Sequence, residues 1–93
     1  MFKIIDGQGT GKTKKLMEYA KSNSAIFVCA NAIGMEQKAH AYGIEGIRFM
    51  SYKEFITTFD PDIHDYVIDE IDNFVSEIIQ GPSFIGYTLT NEN

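Results

Sequence analysis

The sequence predicts an α/β three-layer sandwich: a five-stranded, mainly parallel sheet with helices on both faces. Three observations carry that expectation. Short apolar runs alternate with amphipathic stretches along the 93 residues, in the order βαβαβαβαβ. Ala25–Ala30 is a continuous apolar run, the composition of a parallel strand covered on both sides. Gly7, Gly9 and Gly11 crowd the junction between the first apolar run and the first amphipathic stretch.

Taken in order, Phe2–Asp6 is expected to be the first strand, running into the glycine-rich loop. Lys12–Ser22 has Leu16, Met17 and Ala20 at helical spacing and closes on Asn23. Ala25–Ala30 is the second strand. Ile33–Tyr42 gathers Met35, Ala39 and Tyr42 on one helical face and stops at Gly43, a natural C-cap. Ile47–Met50 is the third strand. Ser51 then opens a capping box, Ser51-x-x-Glu54, with Phe55, Ile56 and Phe59 as the apolar face behind it. That helix is expected to end at Asp60-Pro61, because proline disfavours helical geometry at the residue before it. Tyr66–Asp69 is a fourth strand finishing in acid. Asn73–Gln80 carries Phe74, Val75, Ile78 and Ile79 and meets a stop signal at Gly81-Pro82. Phe84–Thr90 is the last strand.

A chain of this length makes one domain, residues 1–93, and its 44% apolar, 23% charged composition is globular rather than disordered. No apolar run approaches the length of a membrane span, so no membrane partner is expected. A lone cysteine, Cys29, excludes an intrachain disulfide and fits a reducing cytoplasm. The net charge of −5 argues against holding duplex nucleic acid by phosphate neutralisation alone. Yet four of the eight basic residues, Lys12, Lys14, Lys15 and Lys21, fall within ten positions, while acids crowd residues 60–72. An anion is expected near the N-terminus.

Gly9-Thr10-Gly11-Lys12-Thr13 sits between a strand and a helix, the setting a phosphate-binding loop needs. Glycines let consecutive amides turn inward around a phosphate, and the helix adds its unpaired N–H groups and positive dipole end. Gly7, Gln8, Gly9, Thr10, Gly11, Lys12, Thr13 and Lys14 are the expected nucleotide-binding residues. Lys12 would reach the β- and γ-phosphates, and the Thr13 hydroxyl would ligate Mg²⁺. The motif's first glycine is replaced by Asp6, with Gly7 one place later.

Tyr66-Val67-Ile68-Asp69-Glu70 puts two acids at the C-terminal end of a strand, where ligands of open α/β sheets gather. Asp69 is expected to hold Mg²⁺ opposite Thr13, and Glu70 to polarise an attacking water. Glu70 and Lys12 are therefore the candidate catalytic residues. The plainer reading of Asp69, Glu70 and Asp72 is a helix start satisfying its dipole.

With these two motifs in place, DGQGTGKT and YVIDEID, the sequence resembles the P-loop NTPases, and most of all the first RecA-like domain of superfamily 1 and 2 helicases. The resemblance implies a RecA-like fold, ATP and Mg²⁺ as ligands, and γ-phosphate sensors on the last strand at Thr88 and Thr90. It also implies that this sensor strand lies between the phosphate-loop strand and the acidic strand. Helicases draw arginines from a second lobe, whereas Arg48 is the sole arginine here. Because an arginine finger is worth about 10³- to 10⁵-fold in turnover, slow hydrolysis is expected unless a protein partner or a second copy supplies one. Nucleic acid would enter through such a partner. The alternatives are a non-catalytic inhibitor or adaptor module built on an NTPase domain, and a small nucleoside or nucleotide kinase. The aromatics Phe49, Tyr52, Phe55 and Phe59 are read as core.

Overall fold

Ile26, Phe27, Val28 and Cys29 are all buried, and the period of a strand divides them between two faces. The computed structural model describes residues 2–4, 11–58 and 65–79. Within them the chain forms α1 (Lys12–Ser22), β1 (Ile26–Cys29), α2 (Ala32–Ala41), β2 (Phe49–Ser51), α3 (Tyr52–Thr57), β3 (Tyr66–Ile68) and α4 (Ile71–Ile78). The strands run in the order β2-β1-β3. Both pairings are parallel, with Val28 opposite Met50 on one side and Ile68 on the other.

On one face of β1, Phe27 and Cys29 join Met17 and Ala20 of α1, Ala39 of α2, and Ala25 and Ile44. On the other, Ile26 and Val28 join Met50 and Tyr52, with Phe55 and Phe74 packed against them. Removing a side chain such as Phe27 from water stabilises the fold by about 1.5–3 kcal/mol. Rings lock both clusters: Phe27 meets Phe49 edge-on at 5.3 Å, and Tyr52 meets Phe74 at 5.2 Å.

The expectation of five strands in a RecA-like sheet is corrected: the described residues form a sheet of three parallel strands with four helices. Phe2–Ile4, part of the expected first strand, is not a strand; the rest of Phe2–Asp6 lies outside the described residues. An apolar run becomes a strand only by pairing, and here the Phe2 ring instead stacks on Tyr19 of α1, centroids 4.0 Å apart. The expected last strand, Phe84–Thr90, lies outside the described residues.

Local chemistry sets the other boundaries. Asn31 caps α2 by accepting from the Gly34 N–H at 3.1 Å. Ser51 caps α3, accepting from the Glu54 N–H and donating to its carboxylate. α3 ends at Thr57, short of Asp60, because the Thr57 and Thr58 hydroxyls bond back to the carbonyls of Lys53 and Glu54. α4 begins at Ile71, two residues earlier than expected. Among the described residues no helix is long and apolar enough to cross a membrane.

Candidate functional site at the C-terminal edge of the sheet

The start of α1 is set by Gly11, whose φ of 73° lies in the left-handed region. Among the described residues no atom lies within 4 Å of where its Cβ would be, so backbone angle rather than space calls for glycine. Among the described residues no side chain caps this helix, and its first turn holds no acid. Its positive end is therefore left for something else to satisfy.

β3 delivers the opposing groups. The Asp69 N–H donates to the Val28 carbonyl at 2.9 Å, which carries the pairing with β1 one residue beyond Ile68. The Asp69 side chain is thereby held beside α1, where the Thr13 hydroxyl donates to its Oδ1 at 3.4 Å. That is long for an O–H···O bond, so the two oxygens sit side by side without being tightly joined. One residue on, Glu70 has φ 55° and ψ 66°, a left-handed conformation rare outside glycine. This turns the chain sharply into α4 and brings the Glu70 carboxylate to 3.1 Å from Lys12 Nζ.

The environment biases each charge. Asp69 is only 8% exposed, and its carboxyl is lifted above the usual carboxylate range by burial first and by the Glu70 charge second. The Thr13 hydrogen bond, Lys12 and Lys38 act in the opposite sense. The hydrogen bond to Glu70 leads in raising Lys12, with the charges of Glu70, Asp69 and Asp72 adding to it against a desolvation penalty. Lys12 thus stays charged at neutral pH. It keeps donors to spare, since an ammonium has three and Glu70 takes one.

Lys12, Asp69 and Glu70 put one cation against two carboxyl groups. A bare polyphosphate would meet an excess of negative charge, and a divalent cation reverses that balance. The donor set suits Mg²⁺, a hard ion bound through one or two protein oxygens, substrate phosphates and water. The Thr13 hydroxyl and Asp69 carboxylate are such oxygens. Among the described residues no cluster of three or more His, Cys, Asp or Glu side chains forms a dedicated metal cage.

Of the sequence-derived candidates, Lys12, Thr13, Asp69 and Glu70 converge, and Gly11 adjoins them. Gly7, Gln8, Gly9, Thr10, Thr88 and Thr90 lie outside the described residues. Lys14 is found against α2, its Nζ 5.7 Å from the centre of the Tyr42 ring. Arg48 enters β2 at the N-terminal edge of the sheet, the edge opposite Asp69. Cys29 is fully buried, and burial pushes its thiol up to about 11.

Tyr52 is the group that sequence reading missed. It is 1% exposed, and its hydroxyl donates to the Asp69 carbonyl at 2.5 Å, with the Glu70 carbonyl at 3.2 Å. Its signal was the hydroxyl itself: a tyrosine placed wholly in a core must find an acceptor there. Comparison of the chain with protein-family models, with curated proteins and with solved structures returns no match.

Proposed function

We propose that this chain is a P-loop-type, Mg²⁺-dependent ATP-binding protein whose hydrolysis is slow alone and faster with a partner. The observation that carries this reading is the meeting of two motifs far apart in sequence: Thr13 beside Asp69 at 3.4 Å, and Lys12 against Glu70 at 3.1 Å. A glycine-rich turn with a surface lysine, or an acidic helix start, explains either motif alone. Neither explains why the two are joined.

In this reading the α1 amides and Lys12 receive the phosphates, while Thr13 and Asp69 face the metal. Held there, the metal would supply charge neutralisation to the phosphates. Glu70 accepts the proton of an attacking water, which needs a carboxylate within hydrogen-bond reach of it. Arg48, at the far edge, is not in reach of the γ-phosphate. That favours turnover stimulated by an arginine from a second copy or another protein, through which any link to nucleic acid would run. A cytoplasmic setting fits such a nucleotide-dependent role.

Calorimetric titration with ATP in the presence and absence of Mg²⁺ tests the proposal. Saturable binding strengthened by Mg²⁺ is expected. An absence of binding at millimolar nucleotide would refute it.

A further inference from the structure

We infer that Tyr52 is the positioning residue of this site, its buried hydroxyl holding the Asp69–Glu70 turn so that the Asp69 carboxylate faces Thr13 and Glu70 faces Lys12. The inference rests on the nucleotide-binding reading above and adds to it a group outside either motif.

The geometry is particular. A phenol has one hydrogen to give. It goes to the Asp69 carbonyl at 2.5 Å, and the Glu70 carbonyl at 3.2 Å is the second, weaker acceptor. The Glu70 carbonyl has another donor, the Phe74 N–H at 3.1 Å, so the Asp69 carbonyl is the one that depends on Tyr52. That carbonyl belongs to the peptide linking the two acids. Fixing it fixes the backbone on both sides: the extended end of β3 and the left-handed residue that follows.

Glu70 is one of two non-glycine residues with positive φ among those described. Such conformations are strained for a residue with a side chain and persist where surroundings over-determine them. Here the surroundings are the Asp69 N–H bond to Val28, the start of α4, and Tyr52. Tyr52 itself cannot swing away. Its ring is wedged edge-on against Phe74 in the cluster of Ile26, Val28 and Met50. It also opens α3 directly after β2, so the hydroxyl crosses beneath β1 from one flanking strand to the end of the other.

The test compares wild type, Tyr52→Phe and Phe55→Leu, each as the full chain. Phe55→Leu perturbs the same aromatic cluster without removing a hydrogen bond. Affinity for ATP is measured by calorimetry with Mg²⁺ and with EDTA. Outer-shell partners of metal ligands typically contribute 10- to 100-fold in metal affinity, so Tyr52→Phe should weaken Mg²⁺-ATP binding about tenfold or more and leave metal-free binding unchanged. Phe55→Leu should leave both affinities alone. In the ligand-free proteins, the ¹³C carbonyl resonance of Asp69 should move in Tyr52→Phe and stay in place in Phe55→Leu.

Equal loss of both affinities, or no loss, would overturn the inference while leaving the nucleotide-binding reading, which rests on wild type, intact. A Tyr52→Phe protein that does not fold, beside a folded Phe55→Leu, would also overturn it, since the hydroxyl would then serve folding. Wild type binding no nucleotide would sink the functional reading, and this inference with it.

Discussion

Thr13 and Asp69 are 56 residues apart in the chain and 3.4 Å apart in space. One stands at the start of α1 and the other just past β3, and no local rule of sequence brings them together. The parallel pairing of β3 with β1 does so, because it sends the end of β3 to the edge where α1 begins. Four consequences follow for experiment.

Lys12→Ala should remain folded, because Lys12 and its partner Glu70 are both partly exposed, so the loss of the pair leaves no deeply buried charge unmatched. ATP affinity should fall by roughly ten- to hundredfold, the worth of a hydrogen bond to a charged group of about 1.5–3 kcal/mol. Calorimetry reads the affinity and circular dichroism the fold.

Glu70→Gln keeps the size of the side chain and removes its basicity. Nucleotide binding should survive, while phosphate release falls by about 10²- to 10⁴-fold, the usual share of a positioned base. Any partner-stimulated turnover should collapse equally. A Glu70→Gln protein as active as wild type would remove Glu70 from the chemistry.

Asp69→Asn separates stability from binding. Burial, and then the charge of Glu70, raises the Asp69 carboxyl, so the native state keeps this proton to a higher pH than the unfolded chain. Between those two values the native state binds more protons, and the contribution of Asp69 to stability therefore declines as pH rises through that window. Asp69→Asn should accordingly be more stable than wild type at neutral pH, the difference vanishing below about pH 3, where the Asp69 carboxyl is protonated in the folded and the unfolded chain alike. Urea denaturation at the two pH values measures this. The same variant should lose the Mg²⁺ enhancement of ATP binding.

Gly11→Ala isolates the backbone requirement at the start of α1. With φ at 73° and no described atom within 4 Å of the new methyl group, the penalty is conformational. A loss of about 1–2 kcal/mol in stability is expected, read by chemical denaturation.

Much of this was legible before the fold. Lys12–Ser22 was readable to the residue because amphipathic spacing and the flanking glycine are both local signals. The Ser51–Glu54 cap was readable for the same reason. Asp69 and Glu70 stood out as acids closing an apolar run. The number of strands was not readable, since Phe2–Ile4 has the composition of a strand but packs Phe2 on Tyr19. Pairing is a property of two segments, and composition reports one. Tyr52 escaped for a similar reason: its aromatic spacing says core, while the acceptor of its hydroxyl lies 17 residues away. The left-handed turn at Glu70 had no signal at all, because glutamate is not a residue that advertises it.

β1 is sealed above, below and along both sides, by two helical layers and two ladders. The Phe27 amide donates to the Arg48 carbonyl on the β2 side and the Ile26 amide to the Asp65 carbonyl on the β3 side, so this pair meets deuterium together only when both ladders part, which amounts to losing the whole domain. Their exchange rate is therefore a built-in gauge of global unfolding, against which the loosening of any outer element is timed.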